Sequence, residues 1–149
     1  MDKIRLGLCC IFKEQPIKFK TTTVTHIAKM DRPTAIAKLS SLCQENAHSL
    51  MEALKFCKNN GIGCFRINSG ILPCKTHKHV GYKIEDLNDW KNIVATYQAC
   101  GQYARENDIR TCFHPDQFVV LNSPNPEVVR NSIARSEEHT SELQSRGLI

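Results

Sequence analysis

Two histidines sit where chain geometry can aim them at a common point. The run Thr111-Cys112-Phe113 ends abruptly in His114 and Pro115. Such a pattern delivers an imidazole at the end of a buried strand, because Pro115 cannot continue a hydrogen-bonded ladder. An imidazole in that position can bind a metal ion or move a proton. Gln117 and Phe118 follow at once, an amide and an aromatic ring on the loop that leaves the strand. Upstream, Phe65-Arg66-Ile67-Asn68-Ser69-Gly70 leads through Ile71-Leu72-Pro73 to Cys74-Lys75-Thr76-His77, the same succession of strand, loop and histidine. Two strands that each send a histidine from the same end point to one shared site. Imidazole nitrogens suit Mn2+ or Zn2+, and carboxylates suit harder ions such as Mg2+.

The elements that must position these residues can be read from periodicity. Lys3 to Phe12 is a near-continuous apolar run, as a parallel strand covered on both faces requires. Pro33 to Asn59 repeats apolar residues every three or four positions (Ile36, Leu39, Cys43, Asn46/Ala47, Leu50, Leu54, Cys57), which predicts a long amphipathic helix. Asp31 is placed to cap its start, and Asn60-Gly61 to stop it. Gly63 to Asn68 reads as a second strand and Ile84 to Asn107 as a second helix, with Leu87, Trp90, Val94 and Tyr97 on its core side. Arg110 to Phe113 is the third strand, and Asn125-Pro126 opens a third helix. Strands alternating with helices predict an α/β fold with a parallel sheet and right-handed crossovers.

Composition bounds the possibilities. A chain of 149 residues buries one core, and 41% hydrophobic with 23% charged residues describes a globular chain. No apolar run of about eighteen residues exists to span a membrane, and Met1-Asp2-Lys3 does not open a signal peptide, so a cytoplasmic location is expected. The eight cysteines are therefore expected to be reduced, and none has the CxxC spacing of a zinc ribbon. The net charge of +5 is compatible with nucleic-acid binding. The polar stretch from Lys13 to Arg32, carrying Lys13, Lys18 and Lys20, is long for a loop in such a unit, and on the residues alone a functional loop and a solvated surface both stay open.

The stretches IRLGLCCIF (4–12), FRINSGILPCKTH (65–77) and TCFHPDQFVVLNSP (111–124) resemble the UV-damage endonuclease family, from about Ile4 to Ala134. The resemblance implies a TIM (β/α)8 barrel, of which this chain holds about three βα units from the N-terminal part. It also implies a DNA-repair enzyme that nicks the phosphodiester 5′ to UV photoproducts in double-stranded DNA. The implied cofactors are divalent metal ions, Mn2+ first and Zn2+ or Mg2+ as options, and the full-length protein would act as a monomer. By resemblance His77 and His114 are metal ligands, with His77 favoured over His79 by the Thr-His pair after the proline. Gln117 and Phe118 correspond to residues that the family inserts into the duplex at the lesion. Lys13, Lys18 and Lys20 fall at the DNA face. Leu8 and Phe12 stand where the family can carry Tyr and Asn, so the first strand departs from the pattern.

Residues 135–149, beginning RSEEHTSELQS, resemble a translated sequencing adapter and are set aside as a non-native tail. Two other readings stay open. One is a related metal-dependent barrel, an abasic-site endonuclease or a sugar isomerase. The other is a segment that only binds DNA or does not fold alone, since a three-unit sheet leaves open edges.

Overall fold

The structure, a computed structural model, describes residues 4–113 and 120–133. Its elements run β1 (Gly7–Cys9), α1 (Val24–Ile27), α2 (Arg32–Asn59), β2 (Cys64–Ile67), a 3-10 turn (Ile84–Asp86), α3 (Trp90–Glu106) and β3 (Arg110–Phe113). Residues 126–133 are again helical. The three strands form one parallel sheet in the order β1-β2-β3. Leu8 pairs with Phe65 and Phe65 with Thr111, which places these residues on one face.

Local chemistry sets the helix ends. The Asp31 carboxylate accepts from the Thr34 N–H at 3.1 Å, and Pro33 occupies the first turn, where no N–H is missed. At the other end Gly61 takes φ +66° and the Ile62 N–H donates to the Cys57 carbonyl at 2.9 Å. Between them Leu39, Cys43, Ala47, Leu50, Ala53, Leu54 and Cys57 are fully buried. Each fully buried leucine contributes roughly 1.5–3 kcal/mol. This stripe meets Phe65 and Ile67 of β2, also fully buried, and α3 packs beside it through Ile93, Tyr97, Cys100 and Ala104.

Two expectations are corrected. The first strand pairs only over Gly7–Cys9, and Ile4, Leu6 and Ile11 are exposed at 101%, 66% and 76%. Cys9, Arg66, Arg110 and Cys112 are also exposed, because among the described residues only one face of the sheet carries a helical layer. The second helix begins at Trp90 rather than Ile84. The Asp86 carboxylate accepts from the Lys83 N–H at 2.8 Å and closes a single 3-10 turn, and the Asn88 N–H donates to Ser40 Oγ at 2.8 Å. Asp89 then takes φ 53°, so the chain turns before α3 starts. Ile84 and Leu87 are buried all the same, which is why their spacing imitated a helix. Trp90 is half-buried and packs against the core as expected, with Lys91 Nζ 5.8 Å from its ring centroid. Asn125 does cap the next helix: its Oδ1 accepts from the Glu127 N–H at 2.9 Å. Residues 135–149 lie outside the described residues.

Every cysteine among those described is free. Burial pushes the Cys43 and Cys57 thiols up to about 11 and Cys100 up to about 12, from an ordinary 9.0. Tyr82 and Tyr97 are raised in the same direction by burial. A thiol that ionises later when folded favours the folded state fully below its unfolded value, and that contribution is lost as pH climbs toward the folded one. The urea midpoint is therefore expected to hold between pH 7 and 8 and to fall from pH 9 toward 11. A midpoint that stays level across the upper window would contradict this burial.

Candidate functional site

In a parallel sheet every strand ends at the same side, so the segments after β1, β2 and β3 share one end of the molecule. The segment after β1 crosses back over the edge of the core. Phe12 packs edge-on against Phe56 of α2 at 5.4 Å between ring centroids, and Phe19 lies 6.3 Å from Phe65. With Phe19 turned inward, Lys18 and Lys20 face solvent on its two sides. Side chains bind the backbone of this stretch at alternate carbonyls. Ser49 Oγ donates to Lys18 O at 2.8 Å, Asn46 Nδ2 to Lys20 O at 2.9 Å, and Cys74 Sγ to Thr22 O at 3.7 Å. The Lys20 ammonium pairs with Glu45 of α2. That contact, together with Ser41, holds the Glu45 carboxyl below the usual range. Among the described ion pairs none engages Lys13 or Lys18.

The segment after β2 is a folded loop anchored by buried Ile71, Leu72, Val80 and Tyr82. Asn68 starts it, its Oδ1 accepting from the Gly70 N–H at 2.9 Å. Cys74 takes φ 58°, and the His77 N–H donates to the Cys74 carbonyl at 3.1 Å. The Gly81 N–H donates to His77 O at 2.7 Å and the Tyr82 N–H to Lys75 O at 3.2 Å. Arg32, at the start of α2, donates to Val80 O at 3.3 Å and to Gly81 O at 3.0 Å. The loop is thus tied to α2 from outside as well as from beneath.

His77 lies on this loop, half-buried, with its ring centroid 5.9 Å from that of His79. Its Nδ1 accepts from the His79 N–H at 3.2 Å. With that lone pair engaged, the neutral ring carries its proton on Nε2. A metal ion held through Nε2 would need the opposite tautomer, in which the protonated Nδ1 no longer accepts, so this bond would be lost. Among the described residues no three His, Cys, Asp or Glu side chains come together as a metal site. On this loop His77 presents a single half-buried imidazole. His114, Gln117 and Phe118 lie outside the described residues; Phe113, just before them, pairs with Ile67 of β2.

Arg32 and Gly81 are positioning residues that no local pattern announces. Arg32 serves the 80–81 carbonyls. Asn46 stands in the apolar repeat of α2, and its amide binds backbone groups of both loops. Gly81 had no signal beyond being a glycine between Val80 and Tyr82. A Cβ at position 81 would stand 2.5 Å from His77 O and 2.6 Å from Lys75 O, both backbone atoms. Gly81→Ala is expected to cost about 1–3 kcal/mol in overpacking and to displace the His77 imidazole. Urea unfolding and the ring proton shifts of His77 read these two effects. Unchanged values of both would show that the close approach is not real.

Comparisons with known proteins bear on the family and the fold. The UV-endonuclease UvdE family model matches residues 4–148, a range that runs on through most of the segment set aside above. The UV DNA damage endonuclease of Nostoc sp. is 31% identical over 144 residues, which cover 96% of this chain and 43% of that protein. That of Halalkalibacterium halodurans is 35% identical over 116 residues, covering 76% of this chain and 34% of its own length. A crystal structure of SacUVDE matches with a TM-score of 0.74 at 29% identity, over 97% of this chain and 46% of that one. The chain thus spans less than half the length of these relatives, and its parallel βαβαβ unit is part of a TIM-barrel architecture. A match of that extent, on a fold that agrees over nearly the whole chain, places the chain in the UV-endonuclease UvdE family.

Proposed function

We propose that the full-length protein is a metal-dependent DNA-repair endonuclease that nicks the phosphodiester 5′ to UV photoproducts in double-stranded DNA. Family membership supports the substrate class. The observation that carries the reading within this chain is the shared end of the sheet, where the Lys18–Lys20 segment and the His77 loop lie side by side on α2. One sends cations to solvent and the other a histidine. Lys13 and Lys18 would meet phosphates, while Lys20 would first have to loosen its hold on Glu45.

His77 and His114 are proposed to contribute ligands to divalent ions, Mn2+ first, together with carboxylates and imidazoles from strands beyond this chain. Bound metal ions would supply an activated water and neutralise charge on the phosphodiester. Gln117 and Phe118 are proposed to fill the gap left when the damaged dinucleotide leaves the stack, a step that costs less where a lesion has already weakened stacking. No helix among the described residues is long and apolar enough to cross a membrane. A monomer acting on DNA is the proposed working form.

Residues 135–149 are proposed to be adapter-derived, on the unbroken correspondence of RSEEHTSELQS. The family match, which reaches 148, argues the other way. Reading the source DNA past the Ala134 codon separates the two: an open frame with a different sequence supports the adapter, and the same codons refute it.

The activity test uses the full-length protein on supercoiled plasmid that is intact, UV-irradiated or depurinated. Nicking is expected in the irradiated plasmid with Mn2+ and none with EDTA. His114→Ala is expected to abolish it, and Gln117→Ala with Phe118→Ala to narrow the preference for damaged over intact DNA. Binding is expected to fall steeply with salt, because each phosphate contact releases counterions. Cleavage of depurinated plasmid alone would favour an abasic-site enzyme, and full activity in EDTA would remove the metal.

A further inference from the structure

Asn46 stands in the middle of the apolar stripe of α2, with Cys43, Ala47 and Leu50 as neighbours on that face, and it is completely buried. Burying a primary amide is unfavourable unless its donors and acceptor are used. Here both donors and the oxygen have partners. Asn46 Oδ1 accepts from the Lys20 N–H at 2.7 Å, and Nδ2 donates to Lys20 O at 2.9 Å and to Ile71 O at 3.0 Å. Towards Lys20 the side chain acts as a strand edge would, taking both the N–H and the C=O of one residue. Towards Ile71 it reaches the other segment, the loop that carries His77.

We infer that Asn46 is a positioning residue that couples the two loops at this end of the sheet, so that the Lys18–Thr22 segment and the 68–82 loop hold or open as one unit. The surrounding bonds fit that role. Tyr97, itself buried, donates from its hydroxyl towards Cys43 O at 3.2 Å and lies 3.4 Å from Ile71 O. The Cys43 thiol and the Tyr82 hydroxyl are hydrogen-bonded at 3.2 Å. Cys74 of the second loop reaches Thr22 O of the first. Neighbouring side chains therefore brace the same two backbones, but among the described residues only the Asn46 amide binds both loops from the rigid helix. A leucine of similar size would satisfy the stripe, leave the Lys20 N–H and C=O without this partner, and leave Ile71 O with only the longer contact from the Tyr97 hydroxyl.

That the coupled loops form a DNA-facing site rests on the proposed function; the coupling itself does not, and hydrogen exchange reads it without any activity. In the full-length protein, Asn46→Ala is expected to speed exchange at the Lys20 amide and at the Gly81 and Tyr82 amides together, by at least tenfold on the order expected for a lost buried bond. The Leu50 and Leu54 amides within α2 should stay protected. Ser49→Ala removes only the bond to Lys18 O and is expected to loosen the first segment alone. If Asn46→Ala loosens only the Lys20 segment, the coupling is refuted. Should that variant fail to fold, the wild type still decides. Exchange at Lys20, Gly81 and Tyr82 is expected to share one urea dependence, and separate dependences refute the inference. Binding to undamaged duplex is the independent arm: loosened loops with unaltered affinity and salt dependence would keep the coupling and count against the proposed DNA face.

Discussion

The burial of one helix against one face of a parallel sheet is the constraint on which the rest of this structure depends. The stripe of α2 from Leu39 to Cys57 is at or near zero exposure, and it lies on the face of β2 that carries Phe65 and Ile67. A crossover helix can return to a parallel strand only by travelling back along the sheet. Each strand must then release its next segment at the same end. The shared end is thus a consequence of where apolar surface can be hidden, and the chemistry-bearing residues inherit it. Along the same helix, Arg32, Asn46 and Ser49 turn from core or cap positions to hold the two loops by their backbone carbonyls.

How much of this was legible depended on whether a residue's role followed from local periodicity. The alternation of strand and helix, the Asp31 cap and the stop at Gly61 were legible because each rests on neighbours in sequence. The split between the 3-10 turn at Ile84–Asp86 and α3 was not, since Ile84 and Leu87 bury themselves at helical spacing without forming one helix. The role of Arg32 depends on carbonyls that lie about fifty positions away in sequence, and no local pattern encodes that. Asn46 lies between: its presence in an apolar stripe signals a buried partner, but only the fold names Lys20 and Ile71.

Membership in the UvdE family adds a direction to the geometry. The chain spans less than half of its relatives, and the face of the sheet bearing Arg66 and Arg110 carries no described second layer. Both guanidinium groups are exposed in this chain; a barrel that closed over this face would bury them and so have to supply them with partners. Phe12, after the first strand, packs against Phe56 and Phe65 rather than standing free.

The proposed function turns on whether His77 and His114 share one metal centre. Anomalous scattering at the manganese edge, from crystals of the full-length protein grown with Mn2+, tests it most directly. The account expects a manganese peak at coordination distance from both imidazoles, with the Nδ1 bond of His77 to the His79 N–H broken. Manganese held by other residues, with His77 still bonded to His79, would contradict it.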